Sequence, residues 1–138
     1  MAILISALTV SARDHISHDP AVLPQAAQTV IKNNFKAKVS FVKIDKELGR
    51  ISDYEAILTD GSEIKFDRDG NWKEVESSPS SSVPSFFILA PIRDYVAKNH
   101  KGTRIVGIDK ERGGYEISLS NGIDLKFDTK GVFKRYDD

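Results

Sequence analysis

The first candidate for chemistry in the sequence is the stretch Asp67–Asn71, which reads DRDGN. Calcium takes about six to eight oxygen ligands in proteins. Asp67, Asp69 and Asn71 could supply the first of these from a glycine turn, although the complete EF-hand spacing with its later glutamate is absent. A β-hairpin turn, in which aspartate hydrogen-bonds to nearby backbone, explains the same letters without a cation. A calcium site at these three residues and a plain turn are therefore the two hypotheses.

The histidines give little support for a catalytic site. A nucleophilic centre needs a serine and an orienting carboxylate beside a histidine, and the chain contains only His15, His18 and His100. It has no Gly-x-Ser-x-Gly elbow, no His-Glu-x-x-His zinc motif and no phosphate-binding glycine loop. We therefore expect a protein that is not an enzyme and has no catalytic residues, with calcium as the one cofactor to test.

Composition narrows the classes of partner. The 138 residues include 20 basic and 20 acidic side chains, so bulk charge does not favour nucleic acid or an anionic membrane. Hydrophobic residues make up 40%, which is enough for a packed core, and the absence of cysteine excludes disulfides and thiolate metal sites. We expect a monomer without a membrane span, whose partner is a protein or peptide.

Residues 1–19 are predicted to be a truncated signal peptide followed by a mobile polar leader. The run Ala2–Val10 is apolar, no charge occurs before Arg13, and small residues at positions 10–12 suit a signal peptidase. The run is far shorter than the ~20 residues that a membrane span needs. Because no basic region precedes it, the start of the signal peptide is either truncated or atypical. A buried β-strand, which the same residues would suit, is the alternative. The prediction is an exported protein, periplasmic or secreted.

An internal repeat organises the rest of the chain. The letters YEAILTDG at residues 54–61 return as YEISLSNG at residues 115–122. The letters IDKE at residues 44–47 return unchanged at residues 108–111. An ordered set of matches of this kind indicates two tandem copies of one structural unit.

Each copy is predicted to be a helix, or a helix pair, followed by a four-stranded antiparallel meander. Apolar residues three or four positions apart indicate one buried helical face in each copy. These residues are Leu23, Ala27, Val30 and Ile31 in the first copy and Ile88, Ile92, Tyr95 and Val96 in the second. Asp60-Gly61 and Asn121-Gly122 are strong signals for two-residue hairpin turns.

The predicted fold class is α+β. The copies are assigned to residues 20–77 and 86–138, joined by an exposed linker rich in serine and proline at residues 78–85. We expect the two copies to join into one curved sheet with the helices on one face. Two loosely tethered lobes are the alternative.

These residues resemble the PepSY-like family. The resemblance is carried by the Tyr-Glu strand, the Asp/Asn-Gly hairpin, the Lys-Phe-Asp strand end and the Gly-aromatic-Lys return, and it covers Leu23 to Asp138. The family comprises tandem-repeat proteins of Bacteroides-type bacteria described as β-lactamase-inhibitor-protein-like. The resemblance implies an exported, periplasmic protein with the architecture of secreted β-lactamase inhibitors and no catalytic residues to carry over.

Protein recognition is the function that remains. Trp72 and its repeat partner Phe133 fall on the last strand of each copy, and aromatic residues dominate protein interfaces. Lys73, Lys134 and Arg135 would surround them. Packing of both aromatic rings in the hairpin core is the alternative. We therefore expect a binding or inhibitor-like module that recognises a protein or peptide through its sheet surface, with a calcium-responsive envelope protein as the alternative function.

Overall fold

The computed structural model describes residues 15–137, which form nine β-strands and two α-helices in an α+β fold. The strands are β1 (His15–Ser17), β2 (Val39–Glu47), β3 (Arg50–Leu58), β4 (Glu63–Asp67), β5 (Trp72–Glu76), β6 (Ile105–Glu111), β7 (Gly114–Leu119), β8 (Asp124–Phe127) and β9 (Phe133–Asp137). The helices are α1 (Gln25–Asn34) and α2 (Ala90–Asn99), with short 3-10 turns at Pro20–Val22 and Ser85–Phe87. Within the described range, no helix has the length and apolar character needed to cross a membrane.

The chain divides into two compact units, with the boundary between Trp72 and Lys73. The first unit contains α1 and β1–β4, and the second contains α2, β6–β9 and nearly all of β5. This boundary differs from the predicted division at the linker, residues 78–85. The reason is that β5 pairs with β6, where Glu74 lies opposite Asp109.

The first unit is an antiparallel meander with one helix. The strands pair in chain order from β1 to β4. The predicted face of α1 is buried at Ala27 and Ile31, and Leu23 before the helix is buried as well. The other buried apolar residues of this unit are Val42, Ile44, Tyr54, Ala56, Leu58, Ile64 and Phe66. The helical stripe therefore predicted the part of this core that comes from α1 and from Leu23.

The second unit repeats this plan with α2 and the strands β5 to β9, which pair in chain order. Ile92 and Val96 are buried on α2, as the apolar stripe predicts. The other buried apolar residues of this unit are Val75, Val83, Phe87, Ile88, Ile105, Ile108, Ile117, Leu119, Leu125 and Phe127. The prediction that both copies join into one curved sheet stays a prediction.

A glycine turn packs against the start of the helix in each unit. Gly70 has φ +91°, and a β-carbon there would lie 3.0 Å from Pro24 Cβ. Gly131 has φ +87°, and a β-carbon there would lie 3.3 Å from Pro91 Cβ. Only glycine combines this backbone conformation with so close an approach. The turn that the sequence marks with Asp, Gly and a following strand therefore also positions the helix.

The end of the predicted leader is part of the fold. Residues 1–14, with the apolar run of the predicted signal peptide, lie outside the described residues. His15–Ser17, however, form β1 and pair with β2, where His15 lies opposite Ile44. Asp19 then accepts a hydrogen bond from the Ala21 backbone at 3.0 Å. The prediction of a mobile leader up to residue 19 is wrong for this part, because strand pairing and capping satisfy its backbone.

The linker is also less free than predicted. Ser78 and Val83 are buried, and the Val83 N–H donates to the Ile105 carbonyl oxygen at 2.8 Å. The Arg104 guanidinium donates to the carbonyl oxygens of Ser81 and Pro79, and the distance to the Pro79 oxygen is 3.2 Å. These bonds attach residues 78–85 to the start of β6. The segment is a packed loop of the second unit, exposed only in part.

Candidate functional site

A row of charged residues crosses the five strands of the second unit. Successive strand pairs place Glu74 opposite Asp109, Asp109 opposite Glu116, Glu116 opposite Lys126, and Lys126 opposite Arg135. We call these five residues the charged row. Directly opposed residues of an antiparallel pair lie on the same face. The row is therefore acidic on β5–β7 and basic on β8 and β9.

The adjacent row of residues on the same strands is apolar. Val75, Ile108, Ile117 and Leu125 pair in succession, and none is more than 2% exposed. Side chains alternate between the two faces along a strand. The core of the second unit therefore lies on one face. The opposite face carries the charged row, and we call it the open face.

The first unit has a similar open face with a different charge order. Lys43 lies opposite Glu55, and Glu55 lies opposite Lys65. The buried row beside it consists of Val42, Ala56 and Ile64. Burial raises the pKa of Glu55, while Lys65 and Lys43 act to lower it. Positive and negative charges therefore alternate across β2, β3 and β4.

An acidic group lies at the centre of the open face of the second unit. Carboxylate oxygens of Asp109, Glu111 and Glu116 all lie within 4.8 Å of one another. A hydrogen bond with Asp137 and then burial raise the pKa of Glu116 to about 7. The Lys126 Nζ atom lies 2.8 Å from Glu111 Oε1. Three carboxylates at this spacing could bind a cation, although the Lys126 ammonium already balances part of their charge.

The predicted calcium turn is a hydrogen-bonded aspartate turn. Asp67 Oδ1 accepts bonds from the backbone N–H groups of Asp69 and Asn71, both at 2.9 Å. Asp67 Oδ2 accepts from the Asn71 side-chain amide at 3.2 Å. Burial acts to raise the pKa of Asp67, but these hydrogen bonds outweigh it, and the pKa lies below its ordinary value. The turn therefore supplies its own donors to the carboxylate.

The second unit contains the same turn with a different residue beside it. Asp128 Oδ1 accepts from the backbone N–H groups of Lys130 and Val132, both at 2.9 Å. These bonds, with that of Val132 the strongest, lower the pKa of Asp128. Lys130 occupies the position that Asp69 has in the first unit. The turn therefore forms with or without a second acidic residue.

The residues predicted for partner contact lie in different places. Trp72 is half-buried at the first position of β5, and Lys73 beside it is exposed. Lys134 and Arg135 are exposed on β9. Arg135 lies opposite Lys126 and so belongs to the charged row. The structure therefore brings one of these cations onto the open face of the second unit.

Phe133 takes part in the packing of α2. It lies opposite the buried Phe127 on β8, and its ring stacks on Tyr95 of α2 with centroids 4.6 Å apart and planes 11° apart. Tyr136 meets the same ring edge-on at 5.2 Å. The structure thus places Phe133 on the helix side of the sheet. This is the core packing that the sequence left open as the alternative.

Two of the histidines have aromatic contacts. His18 lies against Phe41 with ring centroids 6.4 Å apart. His100 follows the last residue of α2, and there its Nε2 atom is 3.3 Å from the Tyr136 hydroxyl and its ring lies beside Tyr95. These contacts give both histidines a packing role.

The sequence alone does not predict the acidic group. The alternation in YEISL does place Glu116 away from the core, and that signal can be read in advance. Which residues face one another across strands depends on register, and an irregularity between Ile105 and Gly107 shifts the register of β6. Glu116 lies on β7 and Asp137 on β9, so their approach depends on the register of β7 with β8 and of β8 with β9.

The chain matches a protein-family model and several solved structures. The model is described as "Putative beta-lactamase-inhibitor-like, PepSY-like", and it matches residues 10–51 and 52–135. A structure from Bacteroides vulgatus ATCC 8482, described as a "putative periplasmic protein of unknown function", is 37% identical with a TM-score of 0.84, covering 91% of this chain and 99% of that chain. Among proteins with curated descriptions, no relative matches.

Two further structures are similar over nearly their whole length. One from Bacteroides thetaiotaomicron, described as a "putative calcium-regulated periplasmic protein", is 35% identical with a TM-score of 0.82, covering 91% of this chain and 97% of that chain. Another from Bacteroides vulgatus, described as a "putative periplasmic protein from DUF2874 family", is 32% identical with a TM-score of 0.81, covering 94% of this chain and 100% of that chain.

Proposed function

Because the chain belongs to the PepSY-like family, we propose that it is an exported, non-enzymatic binding module that recognises a protein or peptide through the open face of its strands. The observation that carries this proposal is the charged row of the second unit, which lies beside a fully buried row. Periplasmic location is supported by the descriptions of the solved relatives. The inhibitor-like role is supported by the family description.

The geometry of the open face suits a protein surface better than a small molecule. Neighbouring strands are about 4.8 Å apart, so the charged row spans about 19 Å from Glu74 to Arg135. Small ligands favour concave, mostly apolar pockets, whereas this face is a row of charges on paired strands. Charges arranged in this way select a partner of complementary charge and speed its approach. Half-buried Trp72, at the start of β5, adds an aromatic anchor of the kind that protein interfaces use.

A charge-swap variant tests this proposal. Glu74→Lys combined with Arg135→Glu inverts both ends of the charged row, and neither side chain belongs to the core. The matched control is Asp94→Lys combined with Lys98→Glu on the exposed side of α2. Partners captured from a Bacteroides periplasmic extract to which a β-lactamase has been added are compared by quantitative mass spectrometry. The proposal expects the wild-type protein and the control to capture a specific partner that the charge-swap variant loses. Equal recovery of every partner by the wild type, the charge-swap variant and the control would contradict it.

Calcium binding is the second candidate function. One relative is described as calcium-regulated, and the acidic group Asp109, Glu111 and Glu116 offers three carboxylates within 4.8 Å. The predicted turn at Asp67 and Asp69 is the other place. At either one, calcium would compete with groups already present: the Lys126 ammonium at the acidic group, or the backbone donors at the turn.

Thermal unfolding with calcium and with chelator tests this candidate. A ligand that binds the native state at about one hundred times its Kd stabilises it by about 2.7 kcal/mol, which raises the unfolding midpoint by several degrees. Glu116→Gln removes the rise if the acidic group binds the ion, and Asp69→Asn removes it if the turn does. An unchanged midpoint of the wild-type protein at millimolar calcium would exclude the candidate.

A further inference from the structure

An open groove runs along α1 in the first unit. It has a volume of about 820 Å³ and is lined by Pro20 and Leu23 before α1, by α1 itself, by the loop after it and by the first residue of β2. Leu23 and Ile31, both buried, and the half-buried Phe35 and Val39 give it an apolar floor. Ligand sites commonly have about this volume.

The charges around the groove all have one sign. Lys32, Lys36 and Lys38 line it, and none of the residues that line it is acidic. All three lysines are exposed, and within residues 15–137 none of them takes part in an ion pair. The sequence has no acidic residue between Asp19 and Asp45. Asp19 accepts a hydrogen bond from the backbone of the turn before the helix and is not among the residues that line the groove.

The second unit differs from the first in the charges that its helix carries. In both helices an amide or guanidinium side chain bonds back to the second residue before the helix: Gln28 Nε2 donates to the Leu23 carbonyl oxygen, and Arg93 Nε donates to that of Ile88. Asp94 of α2 occupies the position that Thr29 has in α1. The second helix therefore carries mixed charge on the corresponding side, while the first carries cations alone.

Lys32 also stabilises the end of its helix. Lys32 lies in the last turn of α1, where a cation is stabilised by the helix dipole. That effect fades within one turn, so it does not account for Lys36 and Lys38, which follow the helix. The groove therefore combines an apolar floor with cations that lack acidic neighbours along its lining.

We propose that this groove binds an acidic peptide segment, with its carboxylates on Lys32, Lys36 and Lys38 and its apolar side chains on the floor between them. Charge complementarity selects a polyanionic partner of this kind. Nucleic acid fits less well, because it needs a long basic surface for its phosphates, and the chain as a whole has equal numbers of basic and acidic residues. This site is separate from the open face of the sheet.

The test uses the full chain and two synthetic probes. One is a dye-labelled peptide of alternating glutamate and leucine, and the other replaces every glutamate with lysine. Binding is measured by fluorescence anisotropy at low and high salt. The variant Lys32→Glu with Lys36→Glu is compared with the matched control Lys98→Glu with Lys101→Glu, which changes the last-turn lysine of α2 and the next lysine after that helix.

The proposal expects the acidic probe to bind and the basic probe to fail. The groove variant should bind the acidic probe at least about tenfold more weakly, since several partly exposed ion pairs are lost and reversed. The control should retain binding, and added salt should weaken it. When the acidic probe is titrated in an NMR experiment, the backbone amide chemical shifts should change at residues 25–39. Absence of binding, equal binding of both probes, an unaffected groove variant, or shifts on the strands instead would each overturn the proposal.

Discussion

The carboxyl groups of Glu116 and Asp137 share a hydrogen bond on the open face, and this bond requires one proton between them. The pair is flanked by Glu111 on the acidic side and Lys126 on the basic side. The hydrogen bond, rather than burial alone, holds the pKa of Glu116 at about 7. The charge of this part of the face therefore changes close to neutral pH.

This pair predicts a specific pH dependence of stability. The folded protein keeps the proton up to pH about 7, whereas unfolded glutamate releases it near 4.5. Since the folded state then binds more protons, the free energy of unfolding falls as pH rises from about 4.5 to about 7. Glu116→Gln should flatten this slope in urea unfolding, while Glu74→Gln on the same face should keep it. An unchanged slope in Glu116→Gln would contradict the shared proton.

Adding a single methyl group at Gly114 should cause a large loss of stability. Its φ is +146°, and a β-carbon there would overlap the carbonyl oxygen of Phe127. We expect Gly114→Ala to lower the free energy of unfolding by at least about 3 kcal/mol. The control is Gly122→Ala, at φ +89° with nothing within 4 Å of the added carbon, which should cost about 1 kcal/mol. Urea unfolding measures both, and equal losses would refute the clash.

At the residue scale, sequence reasoning reached the turns but not the contacts between strands. It offered a hairpin turn as one explanation of Asp67, and the hydrogen bonds to its carboxylate have that form. It left Phe133 open between a partner surface and the core, because alternation within one strand does not show which face meets the helix. The stack on Tyr95 supplies that information.

At the scale of the elements, the loop of residues 78–85 depends on one arginine. Arg104 donates to two of its carbonyl oxygens, and a net hydrogen bond of this kind contributes about 1 kcal/mol. Arg104→Ala should therefore lower stability by about 1–2 kcal/mol and speed amide exchange within the loop. Arg112→Ala, in the turn between β6 and β7, is the control. Unchanged exchange in the loop of Arg104→Ala would show that other contacts hold it.

The helices and hairpins could be predicted because their signals are local. Ala27 and Ile31 are buried at the spacing of one helical face. Gly61 and Gly122 have positive φ, but the residue before each glycine does not. The predicted two-residue turns are wrong: each hairpin loop has three residues, and in the first the Leu58 N–H donates to the Ser62 carbonyl oxygen. Strand β1 could not be predicted in this way, since three residues carry too little periodicity and form a strand only by pairing with β2. The linker was misjudged because a serine-rich composition does not reveal bonds to a distant arginine.

At the scale of the whole molecule, the resemblance to the PepSY-like family is confirmed by the family match and by the solved relatives. Two tandem copies, export by the N-terminal segment and a monomeric state stay predictions. The chemistry is distributed by unit: the second carries the polarised charged row and the acidic group, and the first carries the basic groove. This distribution predicts that different partners, or different parts of one partner, contact the two units.

Site-specific photo-crosslinking tests the proposed function most directly. A photoreactive phenylalanine analogue replaces either Glu74 on the open face or Asp94 on the exposed side of α2, and each protein is irradiated in a Bacteroides periplasmic extract. Adducts are resolved by gel and identified by mass spectrometry. The open-face account predicts a discrete adduct from position 74 and none from position 94. An adduct from position 94 alone, or the same adducts from both positions, would contradict recognition through the open face.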